Sequence, residues 1–301
     1  MNWFFAVLAS TLLFSVVSIL DKRLLAGLFP SFTTFNITFG LLQFLIAPMF
    51  LVAVILTVGF DGGGGVSWAL ASGLLWAVGL SLFFYALNME EVSRVSPMQS
   101  ITPVFTAIIA VALFDESITL LQWLAIVIVV MGAVMINLRS ENGRIQIAHR
   151  KAFLVLLASA FVLAWAFIVS DQATDRMNVW ATQGFRALAM GMGVLAITWR
   201  PRHTASVIAT IRNRRIAPLM LLTEGFLAPT ASLIFVYALS TGPVALVSTV
   251  FAVRPLSVLA ISTFLSTRYW NVLIEPLDRS TLGLKLFSTL LIVGGVMLLG
   301  F

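Results

Sequence analysis

The feature that most constrains this chain is a unit written twice. Residues 85–119 read YALNMEEVSRVSPMQSITPVFTAIIAVALFDESIT, and from Tyr237 the chain reads YALSTGPVALVSTVFAVRPLSVLAISTFLS. An offset of 152 superposes Tyr85, Ala86 and Leu87 on Tyr237, Ala238 and Leu239, and also Ser96 on Ser248 and Pro103 on Pro255. Chance explains Val and Leu matches between apolar segments; the YAL triplet, the Ser and the Pro at one offset are a repeat. A repeat sets the architecture before any local pattern does.

The repeated unit is apolar. Hydrophobic residues make up 60% of the 301-residue chain and charged ones only 10%, against about 25% charged in a soluble domain. Lipid must be the solvent for much of this surface. Ten runs are long enough to cross a bilayer: 2–20, 32–58, 66–88, 92–114, 120–138, 152–170, 178–199, 216–240, 243–265 and 282–301. Strand-like alternation is absent, so the spans are helices that satisfy their own backbone groups. The first run is too long, and lacks the basic start, of a cleavable signal peptide.

The polar stretch RSENGRIQIAHRK at 139–151 divides the spans five and five. The expected fold is therefore all-α and integral to the membrane: ten transmembrane helices as two repeats, 1–138 and 152–301, joined by the 139–151 linker. Five is odd, so the second unit enters from the opposite face, an inverted repeat. GAVMINL at 132–138 matches GVMLLGF at 295–301 at an offset of 163, which puts an 11-residue insertion at 267–279 in the second half.

Lys and Arg set orientation. The loops after odd-numbered spans hold fourteen of them, among them Lys22, Arg23, Arg144 and Arg202, while the opposite loops hold only Arg176. This bias places the odd loops in the cytoplasm and both termini outside it, in a multi-pass protein of the inner (plasma) membrane. It also accounts for the net charge of +6 without nucleic acid.

Three sets of residues carry a family resemblance: Pro103–Thr106 (PVFT), Asp115–Thr119 (DESIT), and Gly132 in the following span. With ten spans in two halves, they resemble the EamA-type branch of the drug/metabolite transporter superfamily. The resemblance covers essentially the whole chain, is specific for fold and says little about substrate. It implies a secondary transporter, with Arg186 standing where the family often has an arginine in the second span of a unit. Two departures stand out. The second half has Arg268 or Arg279 near the place of the glutamate, and Phe39 occupies the first-half position of Arg186. The family usually keeps both termini in the cytoplasm; here the charge bias says the opposite.

Ionisable groups at membrane depth face a partner or a water-filled cavity. Arg186, Glu224 and Arg254 are the three, all in the second half. One reading has the two guanidinium forks hold a carboxylate or phosphate, with Glu224 as the proton-coupling site. The other has Glu224 paired to one arginine as a structural tie. Asp21 shares a face of the first span with Ser10, Phe14 and Ser18 and reads as interfacial. Asp115 and Glu116 read as the N-terminal charge of the fifth span.

The neutral candidates for substrate contact are Ser96 and Gln99 on one face of the fourth span, Asn36 in the second, the mid-span Trp76 and Trp165, and the repeat-related Tyr85 and Tyr237. Serine and threonine faces equally serve helix packing. No catalytic set is visible. Cys is absent, His149 and His203 lie in polar loops, and no GK[ST] phosphate loop occurs, so neither cofactor nor metal is expected. The reading is a transporter exporting small organic metabolites such as amino acids by alternating access, with proton coupling through Glu224. The substrate would be anionic or zwitterionic, the surroundings a lipid bilayer, and homo-oligomerisation is left open. Alternatives are a cationic-drug/proton antiporter, which needs a mid-depth carboxylate in the first span of a unit, and a non-transporting scaffold or lipid-handling protein.

Overall fold

The computed structural model describes residues 2–57, 59, 63–89, 99–135, 140–141, 144–145, 150–258, 260–261, 287–288, 290–295 and 298. Ser96, the start of the fourth span and the 267–279 insertion lie outside them. The helices are α1 (Asn2–Arg23), α2 (Phe32–Thr57), α3 (Val66–Met89), α4 (Thr102–Phe114), α5 (Leu120–Met135), α6 (Arg150–Thr174), α7 (Val179–Thr198), α8 (Thr204–Arg212), α9 (Ile216–Met220), α10 (Ala228–Leu239) and α11 (Val244–Phe251). The last described residues, between 287 and 298, are helical. Among the described residues, five stretches are long and apolar enough to cross a membrane: Trp3–Arg23, Phe32–Thr57, Gly63–Ala86, Lys151–Thr174 and Ile216–Leu239. Strands are limited, among the described residues, to an antiparallel pair in the linker, with Ser140 opposite Ile145 and Glu141 opposite Arg144.

Two wide turns interrupt the helices. α1 runs directly into a π-helical segment, Leu24–Leu28, and a second, Leu221–Leu227, joins α9 to α10. Insertions of this kind rotate a side chain out of the regular α-helical sequence of faces and are frequent at functional sites. Both π segments sit beside a carboxyl group: Asp21 one turn before the first, Glu224 inside the second.

The bundle is built on close backbone approaches rather than on large side chains. A Cβ on Gly191 of α7 would lie 2.6 Å from the Phe44 amide nitrogen and 2.8 Å from the Gly40 carbonyl of α2. Gly73 of α3 lies against the Arg186 carbonyl and Ala189 of α7. In lipid there is no hydrophobic drive between helices, so tight packing at small residues takes its place. The outward faces are apolar and exposed, as at Met49, Leu56 and Leu120.

Several contacts come in reciprocal pairs. Ser10 Oγ of α1 donates to the Ala231 carbonyl of α10 at 2.8 Å, and Ser159 Oγ of α6 donates to the Gly79 carbonyl of α3 at 2.7 Å. Gly132 of α5 meets Ser288 and Ile292, while Gly295 meets Ala125 and Val129. Ser100 Oγ donates to the carbonyl of Ala252, 152 residues on, at 3.5 Å.

At the start of α5 the threonine cap forms, while the two acids expected as its N-terminal charge lie elsewhere. Its cap is a reciprocal pair: the Thr119 amide donates to Gln122 Oε1 at 2.9 Å and the Gln122 amide to Thr119 Oγ1 at 3.3 Å, a capping box. Asp115 ends α4 in the left-handed region (φ 54°). Glu116 turns away from α5, and its carboxyl faces the Ala245 backbone at the start of α11. Both carboxyl oxygens are buried without a hydrogen-bond partner, and burial holds the carboxyl above its ordinary value of 4.5, only partly offset by the nearby Ala245 backbone.

Two outcomes follow. Gly191→Leu wedges α2 from α7 and should cost about 1–3 kcal/mol, read as a lower melting temperature in detergent. Met192→Leu on the exposed side should stay within about 0.5 kcal/mol. For Glu116, a raised carboxyl means that the folded state favours the protonated form. Its contribution is full below the unfolded value near 4.5 and declines as pH rises through the higher folded value. Glu116→Gln should remove that part of the pH dependence and raise the melting temperature at neutral pH.

Candidate functional site

The interior of the bundle holds a cavity of about 1220 Å³ of atom-free space, counting the part that opens outward. It is lined from α1, α2, α3, α4, α6, α7, the Leu221–Leu227 turn, α10 and α11 with its continuation. The lining residues fall into repeat-related couples. At an offset of 152 stand Trp76 and Ala228, Leu80 and Ser232, Gln99 and Phe251, Thr102 and Arg254, and Pro103 and Pro255. Offsets of 149 for α1 against α6 and 147 for α2 against α7 couple Phe14 with Leu163 and Phe39 with Arg186.

Of the residues singled out from sequence, Arg186, Glu224, Arg254, Gln99 and Trp76 line this cavity. Of the rest, the four that lie among the described residues stand elsewhere. Asn36 is buried and donates to Ser81 Oγ at 3.1 Å, tying α2 to α3. Trp165 packs against the apolar core. Tyr85 sits under Lys151, whose Nζ is 5.8 Å from the ring centroid, and edges Phe32. Tyr237 points outward at 42% exposure. The two tyrosines share a repeat position, yet neither is among the cavity-lining residues.

Arg186 is 2% exposed and held on several sides. Its guanidinium donates to Gln183 Oε1 at 2.6 Å, one turn earlier on α7, and to Ser232 Oγ of α10. A longer contact reaches Ser170 Oγ of α6 at 3.5 Å. Its carbon lies 5.3 Å from the Trp76 ring centroid, the geometry of a cation over an aromatic face. A buried guanidinium demands such partners because no water replaces them. Ser232 Oγ donates to Gln183 Oε1 at 3.2 Å and closes the set.

Arg254 also lines the cavity. It donates to Ser18 Oγ of α1 and stands over Phe14 and Phe251, 5.5 and 5.9 Å from their centroids. It faces two carboxyls, Glu224 and Asp21. Between the arginines lies an aromatic cluster. Phe235 is 4.9 Å from Phe167 and 4.8 Å from Phe251, and Trp76 is 5.4 Å from Phe167, between ring centroids.

Asp21 is the residue that sequence undervalued. It reads as interfacial, but it is 4% exposed and lines the cavity. The first span therefore does bring a buried carboxyl to the site. The signal was present: LAS at 8–10 repeats as LAS at 157–159. That 149-residue offset sets Asp21 against Ser170, a buried position. Gln183 and Ser232, which orient Arg186, carry no sequence signal beyond their spacing from it and from Glu224.

Residues 1–138 match the model of the EamA-like transporter family. A probable glucose uptake protein of Bacillus cereus is 28% identical over 207 residues, which cover 66% of this chain and 69% of that protein. Its Bacillus anthracis counterpart is 26% identical over the same length, covering 66% and 70%. An uncharacterised protein of Methanocaldococcus jannaschii is 30% identical over 73 residues, 24% of this chain and 53% of that one. A solved crystal structure superposes with a TM-score of 0.69 at 15% identity, covering 98% of this chain and 95% of its own, and so shares the fold. These matches point to a multi-pass membrane transporter of small molecules rather than to an enzyme.

Proposed function

We propose that this chain, whose residues 1–138 match the EamA-like transporter family, is a secondary transporter working by alternating access. Two five-helix units, 1–138 and 152–301, would rock about the cavity, with 139–151 as the linker. The reciprocal contacts support this reading. Ser10 with Ala231 mirrors Ser159 with Gly79, and Gly132 with Ile292 mirrors Gly295 with Val129. A two-fold relation between halves makes such contacts self-complementary. The relation must be inverted if each half has five spans.

The observation that carries the substrate reading is the asymmetry of the cavity lining. Phe39 and Thr102 in the first half face their repeat-mates Arg186 and Arg254 in the second. Two guanidinium groups and an aromatic cluster suit a small organic metabolite with an acidic group, such as an amino acid. The partner is then an anionic or zwitterionic solute drawn through a bilayer, with export as the direction. A second reading is favoured by the relatives described as glucose uptake proteins. Trp76, Gln43 and Gln99 offer an aromatic face and amides to a sugar. The cation-antiport alternative gains from Asp21, a cavity carboxyl in the first span.

Flux in proteoliposomes separates these readings. The probes are amino acids, organic acids, glucose and organic cations, each with and without a pH gradient. For an acidic solute, Arg186→Gln or Arg254→Gln each removes a charge-assisted interaction worth about 1.5–3 kcal/mol, so uptake at limiting substrate should fall roughly 10- to 100-fold. Uptake of an acidic solute unchanged in both variants would remove the anion reading; glucose flux indifferent to both would support the sugar reading.

The orientation that we infer has the termini outside the cytoplasm, in the inner (plasma) membrane. It rests on the basic residues of 200–215, including Arg212, Arg214 and Arg215, on one side of the bundle. The native chain lacks Cys, so a single Cys at Ser206 or Asn213 reports cleanly. It should react with a membrane-impermeant maleimide only after the cells are permeabilised. Labelling in intact cells reverses the orientation.

A further inference from the structure

Asp21 and Glu224 are two acids brought into contact from helices 203 residues apart in sequence. Both line the cavity, both are buried, at 4% and 2% exposure, and their side chains lie within hydrogen-bonding reach of each other. Oδ1 of Asp21 is buried with no donor bound to it. Carboxylates only accept hydrogen bonds, whereas a protonated carboxyl donates one. The missing donor is therefore supplied if the pair carries a proton.

The repeat gives an independent view of the same contact. At offsets of 149 and 152, Asp21 corresponds to Ser170 and Glu224 to Ser72. Those two serines are in contact as well, Oγ to Oγ at 2.5 Å, and both are fully buried. The two positions bring side chains together in each half. A serine pair makes its hydrogen bond unaided, because either hydroxyl donates. Replacing both serines by acids keeps the contact and makes it depend on one added proton. Like charges at this range in a dry site do not both persist.

The surroundings leave few other charges to consider. Arg254 faces the pair from the continuation of α11, and Arg186 lines the same cavity. α2, α9, α10 and the two π segments, Glu224 apart, contain no charged residue. Lys22 and Arg23 follow Asp21 on α1 and have interactions of their own.

We propose that Asp21 and Glu224 form a site for a single shared proton. With that proton in place, two guanidinium groups and one carboxylate leave the cavity with one net positive charge. A substrate carrying one negative charge cancels it. The proton stays on the pair in the empty cavity at neutral pH; its loss to cavity water at higher pH turns both acids into carboxylates, which the two arginines balance, and the monoanion is released with it. One proton thus accompanies each monoanion. The coupling rests on the transport reading above; the proton site does not, and the two fail separately.

Infrared difference spectroscopy of the protein reconstituted in lipid tests the site without any substrate. Wild type at neutral pH should show the C=O band of a protonated carboxylic acid, lost on alkalinisation. Asp21→Asn and Glu224→Gln should each remove the part of the band that Glu116→Gln leaves in place, because the surviving carboxylate has Arg254 and no acidic neighbour. A wild type without the band, or a band of wild-type intensity in both variants, overturns the proposal. So does a wild type without the band whose tryptophan fluorescence responds to sodium, which would assign the pair to that cation. Wild-type protein alone gives a second reading should the variants not fold. A hydrophobic carbodiimide adds only to a protonated carboxyl, so mass spectrometry should find an adduct on Asp21 or Glu224, never on both, and not at alkaline pH. Absence of the adduct from both residues at neutral pH counts against the site.

Discussion

Hydrocarbon offers no hydrogen-bond partner, and this constraint explains most of what the molecule does with its few polar atoms. Backbone groups are satisfied within helices. Serine hydroxyls turn back on carbonyls, either on their own helix, as Ser15 does on Thr11 at 2.7 Å, or across to a neighbour, as Ser10 does on Ala231 at 2.8 Å. Charged groups need more. Arg186 takes Gln183, Ser232 and the face of Trp76, and Arg254 takes Ser18 and the Phe14 and Phe251 rings. A polar set of this kind is costly unless complete. The incomplete places, such as Oδ1 of Asp21, are where a ligand or proton is to be sought.

The two halves meet this constraint differently. Where the first half has Ser72, Thr102 and Phe39, the second has Glu224, Arg254 and Arg186. The positions are structurally alike, since Ser72 contacts Ser170 as Glu224 contacts Asp21. Packing therefore uses the same geometry in both halves, while charge is concentrated at one end of each pair. A duplicated scaffold can change chemistry this way with little change in fold, because the mutated residues face the cavity and leave the glycine contacts untouched.

Those glycine contacts position the site. Gly73 sits under the Arg186 carbonyl, and Gly40 and Gly191 let α2 and α7 approach backbone to backbone. Arg186 thereby reaches Ser170 on α6 and Ser232 on α10 from one rotamer. The π segments act locally in the same sense. Leu24–Leu28 and Leu221–Leu227 lie beside the two acids, where a widened turn changes which way a side chain faces.

The sequence alone determined the solvent, the helical class and the 85–119 repeat, and singled out Arg186, Glu224 and Arg254, because length, hydropathy and offset are one-dimensional properties. Gln99 and Trp76, two of its neutral candidates, line the cavity. The sequence did not tell which face of a helix looks inward. In lipid both the outer and the inner face are apolar, so periodicity carries little contrast: Tyr237 turns outward although its span reads like that of Tyr85. The position of Asp21 near a helix end suggested an interface, and only the packing of α1 against the Leu221–Leu227 turn brought it to Glu224. Thr119 does cap α5, but Glu116, expected as an N-terminal charge of that helix, lies against Ala245 instead. Contact between groups distant in sequence is a property of the assembled bundle, and it decided the chemistry of the site.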